Sequence, residues 1–296
     1  MICNLCPRRC NALRTDTEGA GYCGMPGRPA AARAALHHWE EPPISGTRGS
    51  GAVFFSGCPL GCVFCQNSQI SRGRFGAPVT AERLRQLCDG LIAQGAHNLN
   101  FVTPTHYAHV LGDLLEERFP VPVVWNTGGY ERVETLRALA GKVDIYLPDL
   151  KYLDRAAAAR YSAAPDYPEH AAAAIREMVG QTGPVQLDGE GILRRGVIIR
   201  HLLLPGQLAG AKAVMDWVAE TFAPGEVLFS LMSQYVPLGN LEDYPEINRP
   251  LRRAEARKAA EYMALLGLEG FTQELGAADA QYVPEFDLTG IEETKQ

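Results

Sequence analysis

The sequence predicts an α/β protein: a partial (β/α)6 TIM-like barrel with parallel strands, preceded by a short N-terminal four-cysteine knuckle. Three observations carry this. Short β-branched apolar runs alternate with helical repeats six times, and the turns lack a G-x-G-x-x-G element, which favours a barrel over a dinucleotide-binding sheet. All eight cysteines fall in the first third of the 296 residues. An apolar content of 46% supports a sizeable core without disulfide staples and excludes a disordered or low-complexity chain.

The strand signals lie at residues 52–56, 99–102, 121–125, 143–147, 197–204 and 227–231. Between them, 3.6-residue periodicity marks helices at 82–93, 108–118, 131–139, two Ala-rich stretches between 154 and 179, and 211–221. A last helix spans 252–266 and stops at Gly267. The predicted division is residues 1–48 for the knuckle and its lead-in, 49–275 for the barrel and 276–296 for a C-terminal tail. Right-handed βαβ crossovers place reactive groups at the C-terminal ends of the strands. Those ends are polar: Asn126 and Thr127, then Asp149 and Lys151, then Arg200 and His201, then Ser233 and Gln234.

The net charge of −6 disfavours general binding to nucleic acid or anionic lipid. Residues 49–71 hold no formal charge, but Pro59, Gln66, Asn67 and Gln69 rule out a membrane span there. No signal-peptide pattern is visible at the start, so a cytoplasmic protein is expected, without nucleic-acid or membrane partners.

The cysteines form two clusters. In the first along the argument, FFSGCPLGCVFCQN, Cys58, Cys62 and Cys65 are spaced C-x3-C-x2-C on a loop marked by Gly57, Pro59 and Gly61. Thiols this close, outside a small secreted framework, suit a metal centre. Structural zinc and ordinary iron–sulfur sites take four protein ligands; three leave one position open. Cys88 sits in a helical apolar repeat with Leu84, Leu87 and Leu91 and reads as a buried structural thiol.

The C-x3-C-x-aromatic-C pattern, with Phe64 before Cys65 and an apolar strand ahead of it, resembles the signature of radical S-adenosylmethionine (SAM) enzymes. The resemblance implies that Cys58, Cys62 and Cys65 bind three irons of a [4Fe-4S] cluster. The amino and carboxylate groups of SAM take the fourth, and reductive cleavage then gives a 5′-deoxyadenosyl radical for hydrogen abstraction. Over residues 50–234 the chain is similar to pyruvate formate-lyase-activating enzymes and their relatives of unassigned substrate. In that branch VDIYLPDLKYLD carries a D-x-K motif, here Asp149 and Lys151, close to SAM; Asn126 and Thr127 match the third-strand end, and Arg200 and Leu202 match an R-x-Φ strand. The implied roles are a cation from Lys151 or Arg200 on the SAM carboxylate, with Asp149 ordering it. Phe54, Phe55 and Phe64 would keep water from the cluster.

Two departures stand out. Where the superfamily has Gly-Gly-Glu to receive the SAM amino group, this chain has NFVTPTH; Thr103 and Thr105 or neighbouring carbonyls are the substitutes. No cysteine-rich insert follows Cys65, as it often does in glycyl-radical activators. Instead CNLCPRRC and GYCG supply Cys3, Cys6, Cys10 and Cys23, similar to the knuckle of the unassigned relatives; zinc and a second iron–sulfur cluster both suit four thiolates. His106 and His109 lie near the expected SAM face, and no histidine pair has zincin spacing. The implied partners are an electron donor such as flavodoxin or ferredoxin and a protein or peptide substrate, for instance a protein glycine. The rival readings are a zinc-stabilised binding or adaptor module without SAM chemistry and a simple electron carrier.

Overall fold

The computed structural model describes residues 1–273 and 284–292. The chain starts with a two-stranded hairpin, β1 (Ile2–Cys3) and β2 (Ala12–Leu13). The main sheet follows: β3 (Ala30–His37), β4 (Ser50–Phe55), β5 (Ala77–Pro78), β6 (Leu99–Val102), β7 (Val123–Thr127), β8 (Ile145–Pro148), β9 (Gln186–Leu187), β10 (Leu193–Leu202), β11 (Leu228–Met232) and β12 (Gly270–Thr272). Its order is β12-β11-β10-β8-β7-β6-β4-β3-β5, with β9 paired to β10. From β4 to β12 the neighbours in that order are parallel. β12 and β5 end the order at opposite edges, so the described sheet is open.

All six expected strands form, but the count of six falls short: β12 adds a seventh parallel strand. It opens on Gly270, at φ +148, where a Cβ would sit 1.9 Å from the Phe229 carbonyl oxygen. Three residues opening on glycine carry no strand signal. β3 was also unforeseen and runs antiparallel to β4. Its text, AAARAALH, favours a helix on propensity; two-sided pairing overrides that, since β4 and β5 both hydrogen-bond to it. The expected helices appear at Ala81–Ala93, Ala108–Leu114, Val133–Arg137, Arg155–Ser162, Tyr167–Thr182, Leu208–Thr221 and Arg253–Leu265. The last two residues of the expected barrel division, 274–275, and part of the expected tail, 276–283 and 293–296, lie outside the described residues. Residues 284–292 lie along β3: Ala34 N donates to Thr289 O at 2.9 Å, and Leu288 N to Ala32 O at 3.0 Å.

Strand alternation divides the core into two layers. Val53, Phe55, Phe101, Trp125, Tyr146, Ile199 and Phe229 join the large cluster under the helices. Val124, Ile145, Leu147, Ile198 and Leu228 form a second cluster, around Ile44 of the short helix Pro42–Ser45. The segment between β3 and β4 therefore plugs the concave side of the sheet. Burying Ile44 fully contributes about 1.5–3 kcal/mol. No helix among the described residues is long and apolar enough to cross a membrane.

Candidate active site

β4 ends at Phe55, and Ser56 and Gly57 turn the chain into the cysteine loop. Gly57 has φ +84, and a Cβ there would lie 2.2 Å from Met25 Cγ, so the turn requires glycine on both counts. His106, expected near the SAM face, is buried behind this turn, its Nε2 2.7 Å from Ser56 O. Burial drives its pKa down to about 3, so the ring is neutral and Nε2–H donates to that carbonyl. His109 similarly meets Gly27 O at 3.2 Å through Nε2.

Along the loop, Leu60 N donates to Cys58 Sγ at 3.4 Å, Ser162 Oγ lies 2.9 Å from Cys62 Sγ, and Ser71 Oγ lies 3.3 Å from Cys65 Sγ. Burial pushes the Cys58 and Cys62 thiols up, and the neighbouring loop cysteines add to it. Lys151 works against the rise at Cys62. Among the described residues no three His, Cys, Asp or Glu side chains are gathered as ligands of a single metal ion. The loop thiols nevertheless act on one another electrostatically, and each has a hydroxyl or amide group beside its sulfur. Such groups are what thiolate ligands of an iron–sulfur cluster use to tune their charge. The donor set fits a cluster held at three corners. Phe64 of the same loop is buried, its ring 6.2 Å from that of Tyr235.

The N-terminal thiols are also brought together. Cys6 is raised to about 12 by burial, with Cys23, Cys3 and Cys10 adding repulsion. Cys3 accepts from Arg14 Nη1 at 3.5 Å and Cys10 from Tyr22 N at 3.3 Å. These four thiols lie in one another's electrostatic reach, but like the loop thiols they are not gathered around a single-ion position among the described residues. Cys88, by contrast, is fully buried in the outer core layer, and burial raises it to about 12.

At the strand ends four of the expected residues converge. Arg200 Nε donates to Asp149 Oδ1 at 2.9 Å, and its Nη2 donates to Asn126 Oδ1 at 2.6 Å. Lys151 Nζ donates to Asp149 Oδ2 at 2.5 Å. Burial alone would raise Asp149, but Arg200 and Lys151 together hold it below the usual carboxylate range. Burial likewise opposes the charge on Lys151, and Asp149 and Cys62 restore it. A charged chain thus runs from the cysteine loop, through Lys151 and Asp149, to Arg200 on β10.

Three expected residues sit apart. Thr127 is turned to the helix side, where its Oγ1 donates to Glu131 Oε1 at 2.6 Å. Leu202 lines a separate cavity of about 310 Å³ with Lys151, His201 and Leu204. Thr103 holds φ +58 and donates its N–H to Asn126 O at 2.8 Å, which braces the β6 end against β7.

Glu40, absent from the sequence reading, completes the site. Its Oε2 accepts from Arg200 Nη1 at 3.3 Å; its Oε1 accepts from Asn126 Nδ2 at 3.0 Å and Asn100 Nδ2 at 3.1 Å. In the text HHWEEPP nothing separates this acid from a solvated turn. Glu40, Phe54, Gln66, Asn67, Asn126 and Arg200 help line a cavity of about 450 Å³ on the concave face. Gln66 and Asn67 directly follow Cys65, so the cavity reaches the cysteine loop.

A family model described as a 4Fe-4S single cluster domain matches residues 45–158, which include the three loop cysteines. "Uncharacterized protein MJ0674" of Methanocaldococcus jannaschii is 30% identical over 270 residues, covering 88% of this chain and 73% of that protein. The chain belongs to the family of that archaeal protein. Among solved structures it is similar to Streptococcus suis SuiB bound to precursor peptide SuiA, with TM-score 0.52 and 15% identity over 75% of this chain and 48% of that one. It is also similar to a radical SAM methyltransferase from Sphaerobacter thermophilus, with TM-score 0.51 and 17% identity over 76% of this chain and 66% of that one. The chain spans about half the length of SuiB. Residues 45–158 thus resemble a 4Fe-4S single cluster domain, and the chain shares with these structures an α/β fold with a parallel-strand sheet.

Proposed function

We propose that the protein is a radical SAM enzyme. The observation that carries this is the continuity of the three-cysteine loop with a polar cavity at the C-terminal strand ends, beside the Asp149, Lys151 and Arg200 ion group. When bound, a [4Fe-4S] cluster and SAM supply reductive cleavage of the sulfonium and hydrogen abstraction from a substrate. Cys58, Cys62 and Cys65 hold three corners of the cluster and leave one for the methionine end of SAM. Lys151 and Arg200 offer cations to its carboxylate, and Asp149 fixes both. Asn126 supplies an amide beside them, while Phe54 and Phe64 keep water out.

In the finer reading the enzyme is activating-enzyme-like, an oxidoreductase in the cytoplasm, with a protein or peptide substrate such as a protein glycine. The sequence resemblance supports this, as does Trp39, exposed at the cavity rim and large enough to meet a chain segment. SuiB, similar in fold, was solved with a precursor peptide. A flavodoxin or ferredoxin would deliver the electron. The N-terminal Cys3, Cys6, Cys10 and Cys23 hold zinc or a second cluster in a structural role, stapling a terminus with only a two-stranded hairpin of its own. An adaptor module stabilised by zinc would account for those four thiols but leaves the cavity and its ion group without use.

Protein reconstituted with iron and sulfide under argon should be brown and, with dithionite and SAM, release 5′-deoxyadenosine. Cys58→Ala should abolish release, whereas Cys3→Ala should retain part of it. Protein that keeps only zinc and leaves SAM intact would overturn the proposal.

A further inference from the structure

Glu40 comes from the plug segment rather than from a barrel strand, yet it touches three of those strands through Asn100 on β6, Asn126 on β7 and Arg200 on β10. Its side chain is 9% exposed and that of Arg200 14%. We propose that Glu40 is a positioning residue: with Asp149 it clamps the Arg200 guanidinium so that the free N–H bonds meet a carboxylate on the cavity ligand. This rests on reading the cavity as the SAM site.

The hydrogen bonds argue for positioning rather than direct contact. Both Glu40 oxygens are taken, one by the two amides and one by Arg200. Arg200 spends three of its five N–H donors on Asp149, Glu40 and Asn126. The remaining two suit a carboxylate, which guanidinium binds in a fixed fork geometry. Two cations, Lys151 and Arg200, face two anions, Asp149 and Glu40, so the group brings no net charge of its own. A zwitterionic amino-acid head group is the ligand that keeps such a balance. Asn100 Oδ1, buried beside Glu40, has no protein partner and is an acceptor left for a ligand or a water. Buried ion pairs are poor sources of stability but fix geometry where a ligand demands it. Neutralising Glu40 would free Arg200 to swing about its bond with Asp149.

The test is equilibrium binding to the anaerobically reconstituted protein, with SAM and with decarboxylated SAM, which lacks the group Arg200 is oriented to hold. Glu40→Gln should weaken SAM binding about tenfold and change the affinity for decarboxylated SAM less than twofold. Glu40→Asp should recover part of the loss, with iron content unchanged in both variants. Unchanged SAM affinity in Glu40→Gln would overturn the proposal, and so would equal loss for both ligands, which marks a general structural role. Should Glu40→Gln not fold, Glu40→Asp alone must show the same selective loss. A wild-type protein that binds neither ligand would instead remove the SAM reading and this role with it.

Discussion

Glu41, next to the clamp, is almost fully buried, and its Oε2 has no hydrogen-bond partner. Burial and the neighbouring Glu40 raise its pKa to about 7 against the pull of Arg200. A carboxyl that holds its proton more tightly folded than unfolded stabilises the native state below the unfolded value near 4.5, and loses that contribution as pH climbs through about 7. Glu41→Gln, which cannot ionise, should therefore melt higher than wild type at pH 8, by roughly 3–6 °C, and nearly together with it at pH 5. A gap that is the same at both pH values would contradict this. Glu131 is a second enclosed acid: its Oε1 accepts from Thr105, Thr127 and Trp125, tying the β6 and β7 ends together. Glu131→Ala strands three buried donors and should cost about 3 kcal/mol in urea unfolding. Neither acid was legible beforehand. Cysteines announce themselves by rarity and spacing, and Asp149, Lys151 and Arg200 by their place at strand ends. Glu40, Glu41 and Glu131 acquire meaning only from what folding packs against them.

At the level of elements, the two cysteine loops are physically interlocked. Arg8, between Cys6 and Cys10, donates Nε to the carbonyl of Pro59, between Cys58 and Cys62, at 2.8 Å. Its guanidinium carbon lies 3.8 Å from the ring centre of Tyr22, which neighbours Cys23. A Cβ on Gly61 would come within 2.4 Å of the Tyr22 hydroxyl. Arg8→Ala should leave the fold intact but loosen the 58–65 loop, so that alkylation of its thiols in metal-free protein speeds up about tenfold. Unchanged alkylation would show that the knuckle merely rests there. Helices were readable at this scale because their signals are local: Thr80 Oγ1 accepts from Arg83 N, and Asp154 caps Ala156 and Ala157. β3 and β12 were not, because an alanine run and a glycine-led triplet become strands only through partners distant in the chain.

For the whole molecule, the α/β class with its parallel sheet was foreseeable from alternation, whereas what fills the concave side was not. Ile44 closes it against strands β7, β8, β10 and β11 from a helix of four residues. Ile44→Ala should destabilise by about 2–5 kcal/mol, measured by denaturant unfolding, and should weaken SAM binding as well, since Glu40 rides on the same segment. Loss of stability with unaltered binding would separate the plug from the site. Phe286 and Ile291 are buried, and residues 284–292 run beside β3. During synthesis this stretch of β3 thus stays uncovered until residues 288 and 289 have been made, more than 250 residues after it, a long interval in which a bare ribbon can recruit a stranger's strand. Ribosome-stalled chains ending before residue 284 should accordingly need a chaperone that chains carrying residues 284–292 can do without.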